Sequence, residues 1–542
     1  VYPDQAETLL WGTLVDTWNS PAFVLPRDGK YVLLHGKPRQ VGATAYKGTD
    51  AFSGYAPDSP CITYMCDNST GQLYKMPLIT KVLMLAVNKF ASMDPLGMGV
   101  EMEGGKPGWL DALNGLPAMF GSGMPETYEL LRTLYFLHGT VKMHSWNVVE
   151  VPNELRDFIQ ALTNLVDQYN AGTIDNFQYW DQTSAAKEKY RQSIFVAFSG
   201  GRTYLECGGL TSQLSLFIAK VEGGIQRALT MFGGASLGSS ASAMEQGAMT
   251  PTYFSWEMTK YEHTGSKDGT GRPFLKAQAF EPTVLPLYLE GPVRRMKVLS
   301  DIHTKKALYT EVRNGPLYDS ELSMYKISES LESQSPATGR VKSFSPGWLE
   351  NESIWLHMSY KFYLELARAG LFEEFWTEAK TGLVPFMDPA VYGRSPLEAS
   401  SFIASSAMPD ESSHGQGFVS RLSGSTAEFL SMWNLLMAGA RPFSPSWEGG
   451  VTLTLSPALP DWLFPEDSSD SKVSFTFLGS TIVTYHNAER KNTWDPTLTT
   501  EKVVVTMNDG SSVEIGGATI PSATAEKIRN LEAASIDVYL SS

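Results

Sequence analysis

The 542-residue chain predicts a mainly helical fold: a helical toroid over residues 1–446, followed by an all-β unit over 447–542. Three observations lead there. Apolar residues recur at helical spacing through the middle of the chain, and Gly- and Pro-rich loops of varied length separate those segments. After about residue 445 the pattern changes to short runs of strand-forming residues.

Residues 1–75 mix short apolar runs with many Gly and Pro; 9–18 reads as helical and the remainder as loops and short strands. A helix over 77–92 leads into the loop Gly105-Lys106-Pro107-Gly108-Trp109-Leu110-Asp111-Ala112-Leu113-Asn114-Gly115-Leu116-Pro117, which Gly and Pro shape from both sides. Pro125 suits the first turn of the next helix. Leu155, Phe158, Ile159, Leu162, Leu165 and Val166 form one apolar stripe. Residues 213–232, 354–380 and 426–437 read the same way. The polar stretches 263–284, rich in Gly, and 327–346, rich in Ser, read as surface or cover loops. Val451-Thr452-Leu453-Thr454-Leu455, Val473-Ser474-Phe475-Thr476-Phe477, Thr481-Ile482-Val483-Thr484-Tyr485 and Val503-Val504-Val505-Thr506-Met507 have strand composition, with turns at Asn508-Asp509-Gly510 and Gly516-Gly517. Together they predict a sandwich or jelly roll.

With 58 acidic against 43 basic residues the net charge is −15, which opposes nucleic-acid binding and suits an enzyme with a neutral substrate. No apolar stretch is long enough to span a membrane. The three cysteines, Cys61, Cys66 and Cys207, form no CxxC pattern, so neither a disulfide framework nor a metal site is expected. The expectation is buried free thiols in a reducing, cytoplasmic setting, with a Cys61–Cys66 pairing as the alternative.

Asp111, two residues after Trp109, is the candidate general acid. Apolar surroundings disfavour an ionised carboxylate and let it hold a proton near neutral pH. The competing reading is a surface turn capped by an Asp.

Four segments resemble the inverting glycoside phosphorylases of glycoside hydrolase family 94 and the larger β-glucan phosphorylases of families 149 and 161. Trp109-Leu110-Asp111-Ala112-Leu113-Asn114 is similar to their Asp-Trp-Asn-Asp-x-Leu-Asn loop, with Gly108 and Leu110 as departures. Asn351-Glu352-Ser353-Ile354-Trp355-Leu356-His357 resembles Asn-Gly-Gly-Ile-Phe-x-His. Ser423-Gly424-Ser425-Thr426-Ala427 resembles Thr-Gly-Thr-Ala. Leu455-Ser456-Pro457-Ala458-Leu459-Pro460-Asp461-Trp462, followed by Phe477-Leu478-Gly479, looks like the start of the C-terminal jelly roll.

The resemblance implies an (α/α)6-barrel catalytic domain with a jelly-roll-like C-terminal domain, and Asp111 as the acid. It implies His357, Ser423, Gly424 and Ser425 as phosphate-binding residues, with Arg421 adding charge. Trp109, Glu126, Arg394 and Glu398 are expected on the substrate, and Glu352 beside the phosphate motifs. His414 is expected at the same mouth. The implied reaction is phosphorolysis of β-linked gluco-oligosaccharides, β-1,3 first and β-1,2 second, giving α-glucose 1-phosphate. Inorganic phosphate is the co-substrate, with no cofactor and no metal, in a homodimer. A charged phosphate needs no base, so one catalytic carboxylate is expected. The family also carries an N-terminal β-sandwich, a linker and the first barrel helices, for which the residues before Asp111 leave no room. The expectation is a fragment, or one half of a split enzyme with a separate N-terminal chain. The alternatives are an inverting hydrolase pairing Asp111 with a second carboxylate, and a carbohydrate-binding half that is inert alone.

Overall fold

A computed structural model describes residues 1–106, 108–233, 248–420, 424–447, 449–466 and 471–542. The α-helices among the described residues are α1 (Leu78–Phe90), α2 (Met124–Met143), α3 (Asn153–Asn170), α4 (Asn176–Ser193), α5 (Cys207–Phe232), α6 (Glu290–Met296), α7 (Ile302–Arg313), α8 (Leu356–Arg368), α9 (Phe372–Gly382), α10 (Pro389–Tyr392), α11 (Gly424–Ala438) and α12 (Ser522–Arg529). None is long and apolar enough to cross a membrane.

Helices α1–α5 enclose one apolar core with Phe254, Trp256, Met258, Leu275 and Ala277 of a long hairpin, and the apolar stripe of α3 faces into it. Each such buried Leu, Ile or Phe contributes roughly 1.5–3 kcal/mol. A second core lies among α6, α7, α8, α9 and α11. Within it α8 packs on α11 and α9, and α6 joins α8 to α2. The result is a mixed helix-and-strand architecture in which α2, α6, α8 and α11 pack one against the next.

Several elements differ from the pattern in the sequence. The span 354–380 is two helices, because Gly370 takes a left-handed φ of 78° and ends α8. Helix α4 escapes periodicity because its apolar stripe is weak; its start is set by a capping box between Asp175 and Gln178. Residues 263–284 are no loop. Tyr253–Lys267 pairs antiparallel with Pro273–Val284; the first strand is buried only within Tyr253–Met258 and the second only at Leu275 and Ala277, so little alternation shows over 263–284. Residues 9–18 hold one wide helical turn, Thr8–Gly12, and then the short strand Leu14–Val15.

The C-terminal unit is not all-β. Its five-stranded sheet runs Lys472–Phe477, Thr481–Asn487, Ala533–Ser541, Thr499–Met507, Ser512–Gly516. Thr481–Asn487 and Ala533–Ser541 are parallel. Parallel neighbours need a crossover, and α12 lies on that path. Cys61 and Cys66 form a disulfide, their Cα atoms 5.3 Å apart, while Cys207 is a buried free thiol. The expectation of free thiols fails at this pair, and with it the cysteine-based argument for a reducing compartment.

One six-stranded sheet positions the Trp109 loop. Its order is Lys37–Gln40, Tyr31–Leu34, Pro273–Val284, Tyr253–Lys267, Ser122–Gly123, Val100–Glu101. The last two strands are the stalks of the loop. Buried Asp94 ties them together: its carboxylate accepts from the N–H groups of Met98 (2.9 Å) and Gly99 (2.6 Å) and from the Ser122 hydroxyl (2.8 Å). Trp256 Nε1 donates to the same hydroxyl at 3.0 Å. From the N-terminal strands, Gln40 Nε2 donates to the carbonyls of Met102 and Pro117, both at 3.0 Å, and Lys30 pairs with Glu103 at 2.5 Å.

Burial pushes the Asp94 carboxyl up to about 6 against its hydrogen bonds. The native state therefore keeps this proton to higher pH than the unfolded chain. The stability it brings is complete below the unfolded value of 3.8 and is lost as pH rises through about 6. Urea unfolding of the wild type and of Asp94→Asn at a series of pH values should show the wild-type-minus-variant difference falling across that window. A flat difference removes Asp94 as the titrating group.

Candidate active site

Within the loop, Asp111 opens a short 3₁₀ turn, Asp111–Leu113, with Ala112 and Leu113 buried beneath it and Asp111 itself exposed. The turn is keyed to residues 337–340. Gly115 N–H donates to the Thr338 carbonyl at 3.1 Å, and Arg340 N–H donates to Asn114 Oδ1 at 3.0 Å. A Cβ on Gly115 would meet the Ala337 carbonyl oxygen at 2.1 Å, so only glycine allows this approach.

Asp111 shares a cavity of about 210 Å³ with Trp109, Leu110, Glu350, Trp355, His357 and Ser401. Glu350 Oε2 accepts from the Ala112 N–H at 2.9 Å, placing a second carboxylate beside Asp111. Burial, joined by the Asp111 charge, raises the proton affinity of Glu350; the Ala112 N–H and Arg340 oppose this. Trp355 stacks on Phe402 at 6.1 Å. The loop before it is tight. Glu352 adopts a left-handed φ of 56° where the resembled motif has glycine, at a cost on the order of 1 kcal/mol or more.

His357 lies in the first turn of α8, edge-on to the Trp109 ring with centroids 5.5 Å apart. Its Nε2 is 3.5 Å from Glu428 Oε1 on α11. Burial pushes the Glu428 carboxyl up, but the His357 contact and the Lys361 charge outweigh it and hold Glu428 below the usual range. Gly424, the first residue of α11, abuts the imidazole: a Cβ there would lie 2.0 Å from Cε1. The N-terminus of α11 thus opens beside His357, where backbone N–H groups and the helix dipole favour an anion.

Trp109 is also a wall of a larger cavity, about 470 Å³, with Val82, Leu85, Lys89, Glu126, Tyr253, Glu290 and Arg294 among its lining. Glu126 sits there 3.7 Å from Lys89, and burial raises its proton affinity against that lysine's charge. Glu290 accepts from the Tyr253 hydroxyl at 2.5 Å and from Arg294 at 3.3 Å.

The structure therefore brings Asp111, Trp109, His357 and Gly424 together and puts Glu126 across Trp109 from them. Ser425 is buried in the first turn of α11. Arg421 and Ser423 lie outside the described residues. Arg394 donates to the Gly417 carbonyl at 2.7 Å and approaches Glu398 to 3.8 Å; neither lines the two cavities at Trp109. Glu352 pairs with Lys326 at 3.4 Å and not with His357. His414, expected at the same mouth, is held by Glu321 and the Met408 carbonyl. Sequence reasoning missed Glu350, Lys361 and Glu428. Glu350 directly precedes the Asn351 motif, and the other two lie one helical turn after His357 and Gly424, so helical spacing was the available signal.

No family model matches the chain, and no curated protein matches it. Among solved structures, an uncharacterized conserved protein from Thermus thermophilus is similar at 10% identity, over 65% of this chain and 91% of its own, with a TM-score of 0.23. The GH63 mannosylglycerate hydrolase of the same organism, solved with glucose, is similar at 11% identity over the same shares, also with a TM-score of 0.23. At that TM-score neither likeness decides the chemistry, which rests on the site's own residues.

Gly424→Ala should force the imidazole or α11 aside and destabilise the protein by about 1–3 kcal/mol. Thermal unfolding together with a structure of the variant checks this; an unmoved His357 and an unchanged melting temperature contradict it.

Proposed function

We propose that the chain cleaves β-linked gluco-oligosaccharides by inverting phosphorolysis, releasing α-glucose 1-phosphate. One observation carries this reading: Asp111 and His357, far apart in sequence, line a single cavity beside Trp109. Asp111 is exposed to that space and protonates the departing glycosidic oxygen as the oxocarbenium-like transition state forms. Phosphate attacks the anomeric carbon from the opposite face, held by His357 and the N–H groups opening α11. Trp109 offers its ring to a sugar, and Glu126, in the cavity on its other side, bonds hydroxyls of the chain. We read α2, α6, α8 and α11, packed one against the next, as part of a scaffold of the (α/α)6 type. The β-1,3 linkage, with β-1,2 second, rests on the motif resemblance alone.

A second reading has its own observation. Glu350 beside Asp111 gives the carboxylate pair that an inverting hydrolase needs, with Glu350 activating water.

The deciding assay incubates laminari- and sophoro-oligosaccharides with and without inorganic phosphate. Glucose 1-phosphate formed only with phosphate supports phosphorolysis; free glucose at equal rates in both buffers supports hydrolysis. Asp111→Asn should lower turnover by about a hundredfold or more in either case, with the fold intact. A variant at near wild-type rate removes Asp111 from the mechanism. Glu350→Gln separates the two: about tenfold or less for phosphorolysis, about a hundredfold or more for hydrolysis.

A further inference from the structure

The cations around Trp109 are not equivalent. Arg294 is tied to Glu129 at 2.8 Å and Glu290 at 3.3 Å, Lys297 to Glu129 at 2.8 Å, and Lys89 to Glu126 at 3.7 Å. His357 has Glu428 at 3.5 Å. Lys361 differs. It is half-buried on α8, one turn beyond His357 and so on the same face. Its Nζ lies 5.2 Å from the centre of the Trp109 ring. Among the described residues it has no carboxylate within ion-pairing distance and no hydrogen-bond acceptor.

A half-buried ammonium with all three donors unspent is costly. The groups around it do not neutralise it at contact: Glu428 on α11 and Glu290 on α6 favour its charge, while Arg294 and Lys297 on α6 oppose it. Burial, the largest cause, holds its proton affinity below that of an ordinary lysine. An anion at this point would restore the missing partner. The imidazole of His357 and the opening turn of α11 are adjacent, so the anion would be shared between two helices that already touch.

We propose that Lys361 is a phosphate-binding group of this site, its ammonium holding the anion together with His357 and the N-terminus of α11. The inference rests on the phosphorolysis reading for its role in turnover, but not for binding itself. It assigns the cationic contact to a residue that none of the resembled motifs contains.

The test pairs kinetics with direct binding. Lys361→Met, close in shape, should raise the KM for phosphate by about tenfold or more, the size of one charge-assisted hydrogen bond. The KM for oligosaccharide should stay near wild type, and Lys361→Arg should recover most of the loss. A role confined to orienting Trp109 would move the sugar KM instead, which overturns the proposal. Calorimetric titration with inorganic phosphate at fixed ionic strength gives the readout independent of turnover. Binding to the wild type that is lost in Lys361→Met sustains the proposal even if the products show hydrolysis, in which case only the phosphorolysis reading falls. Equal binding to both proteins, or to neither, overturns it. Should the Met variant fail to fold, Lys361→Gln replaces it under the same criteria.

Discussion

The candidate site depends on one buried carboxylate that takes no part in its chemistry. Asp94 receives hydrogen bonds from both stalks of the Trp109 loop, so the loop leaves the sheet edge at a fixed angle. Its position resolves a conflict. A loop must be exposed to meet a substrate, yet a proton donor must be held to within a fraction of an ångström. The stalks meet that demand by joining a six-stranded sheet, and the tip by locking Gly115 against residues 337–340. The N-terminal strands complete the support through Gln40 and Lys30.

The second constraint is steric. Two helices that bring an imidazole against a helix start leave no room for a side chain on the first residue, and Gly424 supplies that vacancy. The same close approach places Glu428, one turn along α11, next to His357 and near Lys361. Lys361 stands out there, because Arg294, Lys297 and Lys89 each face a carboxylate.

The sequence made the local features legible. Gly and Pro around Trp109 marked a shaped loop, and the stripe of α3 and the Pro125 start of α2 stood out because the period of a helix is written in its own residues. What remained hidden depends on packing. Glu350 carries no signal of its own; its place beside Asp111 follows from a hydrogen bond to Ala112 across a long separation in the chain. Residues 263–284 read as a loop because they are polar and rich in Gly, and few of them are buried in the hairpin they form. The Cys61–Cys66 bond ranked only as the alternative because sparse cysteines argue weakly for pairing, whereas proximity in the fold decides it. Arg394 and Glu398 were expected at the mouth by nearness in sequence to the motifs, and they satisfy one another elsewhere.

The two carboxylates at the cavity differ in a way that bears on mechanism. Asp111 is open to the cavity, while Glu350 is partly withdrawn and bonded to the backbone of the Asp111 turn. A base that must accept a proton from water needs a free lone pair directed at that water, and one of the two oxygens of Glu350 is committed to Ala112. Burial also raises its proton affinity, which favours the neutral form over the carboxylate a base needs. Both effects weaken Glu350 as a base and suit it to fixing the geometry of the Asp111 turn. On the proposed phosphorolysis reading the nucleophile brings its own charge, and His357 is the cavity residue placed to meet it.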